Sequence, residues 1–243
     1  MTTEMLEMPV EVLGSEVELR TSRTRVIGNN AQVVEEVGVE TTGNTQPYFI
    51  IKRMTDMVGS MIAFMVLSPV FLFAALFIKI FSKGPVFFRQ TRVGQYGKPF
   101  EIYKFRTMKV DAEKYSGPVW AAKDDNRLIP GGNFLRKSKI DEIPQFINVL
   151  KGEMSIIGPR PERPFFVERL KNQIPDYEQR LKIKPGITGL AQVLHRADET
   201  INDVRKKIKY DILYLKRMCL WTDAMILART VRVVLTGVVA RKV

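Results

Sequence analysis

An acidic pair, Asp141–Glu142, is the first candidate for chemistry, because it lies close after a basic segment at residues 136–139. Pro144 lacks a backbone N–H and favours the first turn of a helix, so a helix is predicted to begin close to it, with Asp141 near the N-cap. Backbone N–H groups and the helix dipole favour negative charge at that end. From spacing alone, the pair fits either a functional site or an ordinary acidic helix cap.

Cations in two further motifs are suited to phosphate. Lys104 and Arg106 alternate on a predicted strand, so both would point to one face, which fits either a diphosphate or a solvated strand surface. Arg160 lies between two prolines in Gly158–Pro161, and a rigid arginine suits bidentate phosphate recognition. The segment 185–189 offers backbone N–H groups beside the Thr188 hydroxyl. Each motif alone could also be only a turn.

The elements that must position these residues can be predicted from pattern. Two runs rich in β-branched and aromatic residues, 86–93 and 100–108, flank a turn at 94–99 and predict a hairpin. Apolar residues at helical spacing after Pro144 predict a helix that stops at Gly152. Two more helices are predicted, at 199–218 and 221–239. The first carries Asp211 and Tyr214 on one face; the second fits either an interfacial helix or a packed core helix.

A 22-residue segment without charge, Met57–Ile78, predicts membrane association. As a straight helix it would reach across a hydrocarbon core of about 30 Å. Pro69 cannot donate to the carbonyl of Met65, so a bend is expected there, and the Ser68 hydroxyl can cover a freed backbone group. Basic residues flank both ends of the segment, which favours the cytoplasmic side for both. A kinked single span and a re-entrant helix-break-helix hairpin both fit these residues.

Charge is distributed unevenly along the 243 residues. Residues 1–46 hold eight Glu and three Arg, a sum of −5, whereas the whole chain has a net charge of +12, which leaves +17 on the remaining 197 residues. The acidic segment has no sustained period and is expected to be a disordered extension. The basic remainder points to anionic lipid or to a phosphate-bearing substrate. Nucleic acid is not expected as a partner, because zinc-ligand spacing and RNP-like patterns are lacking.

Cysteine and histidine content further restricts the kinds of site and the compartment that are expected. The single cysteine, Cys219, excludes an internal disulfide framework and fits a cytoplasmic location. The single histidine, His195, is too little for a metal site built from histidines, so no chemistry is assigned to it. The N-terminus lacks a basic region followed by an early apolar run, so no cleaved signal peptide is expected.

Taken in order, these motifs resemble the bacterial sugar transferase family, the monotopic phosphoglycosyl transferases that act on polyprenol phosphate. The resemblance covers about residues 48–240, and the chain resembles the small form of the family. Its carriers are the Ser-Pro-broken apolar segment, KFRTM at 104–108, LRKSKIDEIPQFINVLKGEMSIIGPRP at 135–161, KPGITGLAQV at 184–193 and DxxY at 211–214.

The resemblance implies a mechanism. Asp141 would attack the β-phosphate of a UDP-sugar and release UMP, after which undecaprenyl phosphate would take the phosphosugar. Asp141 and Glu142 would hold Mg²⁺, or Mn²⁺, and Glu142 would assist the metal or proton transfer. The expected phosphate-binding residues are Lys104, Arg106, Arg136 and Arg160. The further expected pocket residues are Thr107, Thr188, Asp211 and Tyr214.

The resemblance also implies an architecture: an α/β fold, mostly helical with a small sheet, with a re-entrant hairpin broken at Ser68–Pro69 and interfacial amphipathic helices. The expected parts are the acidic extension 1–46, the membrane hairpin 47–83 and the cytoplasmic catalytic domain 84–243. The protein would work at the cytoplasmic face of the bacterial inner membrane, with UDP-sugar, polyprenol phosphate and anionic lipids as partners. It would initiate assembly of an exopolysaccharide, capsule, O-antigen or glycoprotein glycan, and a homo-oligomer stays open.

Two other functions stay open at this point. A membrane scaffold that collects anionic lipids on its basic face would bind them less tightly at high salt and would tolerate loss of Asp141. A transferase that passes the sugar without its phosphate would release UDP rather than UMP. The nucleotide product separates this last function from the phosphoglycosyl transferase.

Overall fold

Helix α1 (Gln46–Phe81) contains the whole predicted membrane segment. The structure, a computed structural model, describes residues 46–112, 126–195 and 200–236. The helix is long and apolar enough to cross a membrane. Many of its large apolar side chains are exposed, among them Met65 at 77% and Ile80 at 73%. Water-exposed apolar area of this extent is unfavourable, so α1 indicates membrane association.

Pro69 lies inside α1, and the chain is helical on both sides of it. Two separate helices with a break between them are therefore not observed. The Ser68 hydroxyl donates to the carbonyl of Met65 at 2.8 Å, the carbonyl that Pro69 leaves without its helical partner. The predicted compensation by Ser68 is confirmed, and it keeps a helix with an internal proline satisfied in an apolar environment.

One face of α1 packs on the rest of the chain at both ends. In the first half, Arg53 donates to the carbonyls of Val149 and Leu150 at 2.6 and 3.0 Å, and thus covers the carbonyl end of a short helix. In the second half, Ala74 and Ile78 are fully buried in a cluster with other apolar residues. Both halves of α1 thus belong to the same hydrophobic and polar packing as the residues that follow it.

The predicted hairpin is confirmed. Strand β1 (Phe87–Val93) pairs antiparallel with β2 (Pro99–Phe105), and a 3-10 turn at Gln95–Gly97 joins them. Strand β2 was expected to continue to Met108, but it ends at Phe105. Phe105 packs against Ala74 and Ile78 of α1, and the next residue, Arg106, turns toward the end of that helix. Tertiary packing on α1 therefore ends the strand early.

The remaining described elements are mainly helices, of which α6 and α7 are the longest, and one small parallel sheet, so the structure is mostly helical, as predicted. The predicted stop at Gly152 is confirmed, since this residue follows α3 with φ 84°, a conformation that favours glycine. The elements are α2 (Gly132–Lys137), α3 (Gln145–Lys151), β3 (Ser155–Ile157), α4 (Pro164–Lys171), β4 (Gly186–Thr188), α5 (Leu190–Leu194), α6 (Ile201–Lys216) and α7 (Leu220–Thr236).

Strands β3 and β4 pair in parallel, with Ser155 opposite Gly186 and Ile157 opposite Thr188. The main chains of Gly158 and Gly186 approach so closely that a Cβ on Gly186 would clash with Gly158. The sheet therefore joins two of the sequence motifs, and Arg160 follows it directly. The core beneath is formed by apolar residues of α5, α6 and α7, including Leu190, Leu215 and Ile226.

Some predictions lie outside the described residues. These are the disordered extension up to residue 45, part of the loop before α2 and the last residues of the predicted C-terminal helix. Helices α6 and α7 otherwise match the two predicted helices closely.

Candidate active site

The acidic pair lies in a 3-10 turn, Ile140–Glu142, between α2 and α3. Lys139 precedes the turn with φ 60°, a left-handed conformation that is uncommon outside glycine. Helix α3 begins at Gln145, directly after Pro144, as the sequence predicts. Asp141 is therefore not the N-cap of α3 but lies one turn earlier. Both acidic side chains are buried, with 7% of Asp141 and 8% of Glu142 exposed, so this is not an ordinary solvent-exposed acidic cap.

Glu142 is held by two cations. Arg160 donates to the two carboxylate oxygens of Glu142 at 2.6 and 3.4 Å, and Lys104 Nζ lies 3.2 Å from Oε1. Burial alone would raise the pKa of Glu142, but the charges of Arg160 and Lys104 outweigh it and hold this pKa well below its usual range. Glu142 is therefore ionised and fixes the two cations beside Asp141.

Asp141 is in the opposite situation. Its Oδ1 is buried and has no hydrogen-bond partner among the described residues. Burial raises the pKa of Asp141; the charge of Lys104 opposes this and that of Glu142 adds to it. An unpaired buried carboxylate oxygen is costly in the folded protein, and such sites commonly carry function. Asp141 Oδ1 is thus the oxygen that is free to bind or attack a ligand atom.

The predicted phosphate-binding residues all line one cavity with the acidic pair. Its volume is about 1850 Å³, and its lining includes Lys104, Arg106, Arg136 and Arg160 together with Thr107 and Thr188. Arg136 Nε donates to the Thr107 hydroxyl at 2.9 Å. Among the described residues, twelve Lys and Arg residues line this cavity, and its acidic residues are Asp111, Asp141, Glu142 and Glu162. Such an excess of cations suits a ligand with several negative charges.

Arg106 differs from the other three cations. Its guanidinium donates to the carbonyls of Lys83 and Ser82 at 2.7 and 3.0 Å, just beyond the end of α1. Only 4% of the residue is exposed. Two of its nitrogens are thus engaged with the main chain that follows the membrane helix. The phosphate role stays a prediction, and the observed role of Arg106 is to fix that chain end beside the cavity.

Two predicted pocket residues lie elsewhere. Asp211 accepts a hydrogen bond from Arg180 Nε at 2.8 Å, and neither side chain is more than 2% exposed. Arg180 also donates to the main-chain carbonyl of Arg160 at 2.8 Å. Tyr214 donates to Asp223 at 2.7 Å and is likewise buried. Neither Asp211 nor Tyr214 lines the cavity, because α6 directs both side chains into its packing with neighbouring elements.

Several charged residues at the site were not predicted. Arg180 is one of them, and it contacts Arg160 through the main-chain carbonyl of that residue. Glu162 accepts from Lys207 at 2.6 Å and lies 3.8 Å from Arg92, on the cavity wall. Burial opposes ionisation, but the Lys207 and Arg180 charges lower the pKa of Glu162 to about 2. Glu162 directly follows the Gly158–Pro161 motif, which is the one sequence signal that could have marked it. His195, to which no chemistry was assigned, also lines the cavity.

The donor set gives a limited fit to Mg²⁺. Among the described residues, no group of three or more His, Cys, Asp and Glu could hold a metal ion. Mg²⁺ commonly uses only one or two carboxylates together with substrate phosphates, so the free Asp141 Oδ1 fits such a ligand. Both Glu142 oxygens already accept from Arg160, so a metal would have to share or displace these contacts.

Comparison with known proteins decides the family. A sequence model described as bacterial sugar transferase matches residues 47–237, which include every residue of the site described above. The chain belongs to the bacterial sugar transferase family. The sequence-based resemblance is thus confirmed, and residues 1–46 lie outside the match.

Several relatives of this sugar transferase have named activities. It is 45% identical over 80% of its length to a UDP-N-acetylgalactosamine-undecaprenyl-phosphate N-acetylgalactosaminephosphotransferase of Aeromonas hydrophila, of which it covers 46%. It is 42% identical over 75% of its length to a UDP-glucose:undecaprenyl-phosphate glucose-1-phosphate transferase of Klebsiella pneumoniae, of which it covers 39%. A Caulobacter vibrioides protein of the latter name is 42% identical over 76% of the chain and is 70% covered. The chain spans less than half the length of the first two relatives.

Proposed function

We propose that this sugar transferase is a phosphoglycosyl transferase, which moves a sugar 1-phosphate from a UDP-sugar to a polyprenol phosphate such as undecaprenyl phosphate. The observation that carries the proposal is the buried Asp141 Oδ1, which has no hydrogen-bond partner among the described residues and lies in a cavity with Lys104, Arg136 and Arg160. The activities for which the relatives are named use the same two classes of substrate.

In the first displacement, an Asp141 carboxylate oxygen forms a bond to the β-phosphorus of the UDP-sugar. The bond from that phosphorus to the oxygen bridging the two phosphates breaks, and UMP leaves with the electron pair. A phosphosugar then remains on Asp141. Anionic phosphate repels a carboxylate nucleophile, so Lys104, Arg136 and Arg160 serve to neutralise the phosphoryl oxygens.

In the second displacement, a phosphate oxygen of the polyprenol phosphate attacks the same phosphorus. The bond to Asp141 breaks, the carboxylate is restored, and polyprenyl-diphosphate-sugar forms. Glu142 supports both steps by fixing Arg160 and Lys104, since its own ionised carboxylate holds them beside Asp141. Arg180 and Asp211 act through Arg160, because Arg180 donates to the Arg160 carbonyl and also to Asp211.

Mg²⁺ or Mn²⁺ is proposed as the cofactor, with Asp141 as its clearest protein ligand and Glu142 as a second. A bound divalent cation would supply charge neutralisation at the diphosphate. Lys104, Arg136 and Arg160 bind and orient the phosphates in the same region. Thr107 orients Arg136 through the hydrogen bond to its Nε.

The path of α1 is proposed to be re-entrant, with a bend at Ser68–Pro69 inside the helix. A single span would place its two ends on opposite sides of the bilayer. Here the first half pairs Lys52 with Asp223 at 3.0 Å, whereas the second half buries Ile78 in a cluster with Phe105. Contact of both halves with the same catalytic unit supports a helix that enters and leaves one leaflet. The protein would then be monotopic.

The proposed location is the cytoplasmic face of the bacterial inner membrane, where UDP-sugars are available. Helix α7 supports an interfacial position, because Trp221 is 65% and Leu235 80% exposed on its surface. The net charge of +12 suits a surface of anionic lipids. The product would serve the start of an exopolysaccharide, capsule, O-antigen or glycoprotein glycan.

The test is the nucleotide product. The purified protein in membrane mimic, with Mg²⁺, polyprenol phosphate and a panel of UDP-sugars, is expected to release UMP with at least one sugar. Asp141→Asn is expected to stop this release. Asp176→Asn makes the same chemical change at an exposed residue outside the cavity and is expected to leave the rate unchanged.

Two results would contradict the proposal. Full turnover by Asp141→Asn would exclude Asp141 as the nucleophile. Release of UDP rather than UMP would indicate transfer of the sugar without its phosphate. Lipid binding that weakens with salt, with no nucleotide release from any UDP-sugar, would instead indicate a membrane scaffold.

A further inference from the structure

The cavity at Asp141 has an apolar part that a UDP-sugar does not need. Besides the cations, its lining includes Leu67 and Val70 of α1 and Val233 and Val234 of α7. A UDP-sugar presents phosphates, hydroxyls and a nucleobase, and none of these requires a hydrocarbon wall. The apolar residues therefore point to a second ligand that carries hydrocarbon close to its reactive phosphate.

Two helices contribute these residues, each through one face. Leu67 and Val70 are three residues apart in α1, and Val233 and Val234 follow Thr230 by three and four residues in α7. Thr230 also shares a hydrogen bond of 2.7 Å with Thr188 on β4, which fixes this face of α7 against the cavity. Helix α1 in turn contacts the 3-10 turn that carries Asp141 and Glu142.

The same two helices are joined near their N-terminal ends. Lys52 of α1 pairs with Asp223 of α7 at 3.0 Å, and both side chains are largely buried. Leu67 follows Lys52 by 15 residues, and Val233 follows Asp223 by ten, distances of about 22 and 15 Å along a helix. The cavity-lining residues thus lie well beyond the point at which the helices are held together.

The apolar wall is continuous with the exposed apolar surface. Val234 lines the cavity and is 47% exposed. On the same helix Val231 and Leu235 are exposed, and on α1 Leu72 and Phe73 are exposed. A hydrocarbon chain that leaves the cavity at Val234 would therefore meet exposed apolar side chains, as a bilayer-embedded isoprenoid requires.

We propose that Leu67 and Val70 on one side, and Val233 and Val234 on the other, form a lateral portal through which the isoprenoid chain of polyprenol phosphate leaves the active site for the bilayer. This portal rests on the proposed function, because it names where the acceptor of that reaction binds. Its polar end is the cation cluster beside Asp141, which receives the phosphate, and its apolar end opens at Val234. Both substrates therefore meet the cations beside Asp141, but only the acceptor uses the portal.

The experiment measures the two displacements separately in Val234→Glu. Release of UMP in a single turnover, without acceptor, reports the first displacement. The KM for polyprenol phosphate reports acceptor binding. We expect UMP release in the single turnover to stay unchanged and this KM to rise about tenfold or more, since loss of one valine-sized apolar contact changes a dissociation constant by about that factor.

Val231→Glu is the matched control. Val231 is 53% exposed on the same helix, three residues earlier, and does not line the cavity. Val231→Glu introduces the same charge into the same membrane-facing surface, so its KM for polyprenol phosphate is expected to stay close to that of the wild type. If Val234→Glu fails to fold, Leu67→Gln tests the opposite wall, with Met65→Gln as its control, because Met65 is exposed and outside the cavity lining.

The portal is overturned if Val234→Glu raises the acceptor KM no more than Val231→Glu does, or if it slows the UMP burst as much as it slows acceptor turnover. These outcomes differ from failure of the proposed function. That failure would appear in the wild type itself, as release of UDP or as no UMP burst with any UDP-sugar.

Discussion

Replacement of Asp211 by alanine tests whether Asp211, in the DxxY motif, stabilises the protein through a buried ion pair with Arg180 rather than by lining the cavity. Asp211 and Arg180 are each only 2% exposed and meet at 2.8 Å. Removal of one partner from a buried pair typically costs about 3–5 kcal/mol, because the other charge stays buried and unpaired. At roughly 2–4 °C per kcal/mol for a domain of this size, we expect the Tm to fall by about 6–20 °C.

The assay is thermal unfolding of the purified protein in membrane mimic, with Glu168→Ala as the matched control. Glu168 is an exposed acidic residue on α4, and its loss should change the free energy of unfolding by no more than about 0.5 kcal/mol. An equal fall in Tm for both variants would refute the assignment of Asp211 to a buried ion pair.

A double variant separates stability from activity. Arg180→Met with Asp211→Leu replaces the ion pair by apolar side chains and is expected to recover most of the lost Tm. Release of UMP should stay low, because the hydrogen bond from Arg180 to the Arg160 carbonyl is still missing. Full recovery of both properties would show that Arg180 does not position Arg160.

The remaining predictions concern the acidic pair and the close glycines. Burial raises the pKa of Asp141, so its ionisation costs stability as pH rises; Asp141→Asn is expected to be inactive but more stable than the wild type in urea unfolding near pH 7, with the difference vanishing below about pH 4. The cations hold the pKa of Glu142 well below its usual range, so its stabilisation is present above about pH 4.3 and lost below it. In the same unfolding measurement, Glu142→Gln should flatten this acid dependence, and an unchanged slope would contradict the pairing. Gly186→Ala should lower the Tm and UMP release together, since its Cβ has no space beside Gly158; a wild-type Tm would contradict that close approach.

Local patterns were sufficient to predict much of the fold. Proline and glycine restrict the backbone directly, so the start of α3 after Pro144 and its stop at Gly152 follow from the sequence. The hairpin follows from two β-rich runs around a glycine-rich turn. The early end of β2 could not be predicted, because it depends on packing of Phe105 against Ala74 and Ile78 of α1, which are distant from it in sequence.

The common position of the candidate site residues could be predicted where one motif carried several of them. Asp141, Glu142, Arg136 and Arg160 belong to one long motif, and the structure brings them to one cavity. Asp211, in contrast, does not line the cavity. Helical spacing predicts that Asp211 and Tyr214 share one face of α6, but it does not predict what that face packs against. Arg180 was missed for the same reason: its role depends on a contact 31 residues along the chain.

The most direct test of the account is the mass of the protein after reaction with a UDP-sugar in the absence of acceptor, followed by peptide mapping. We expect a gain of one sugar phosphate on the peptide that contains Asp141, with one UMP released per modified chain. The adduct should disappear when polyprenol phosphate is added. An adduct on another residue, or UDP released from a protein whose Asp141 stays unmodified, would contradict it.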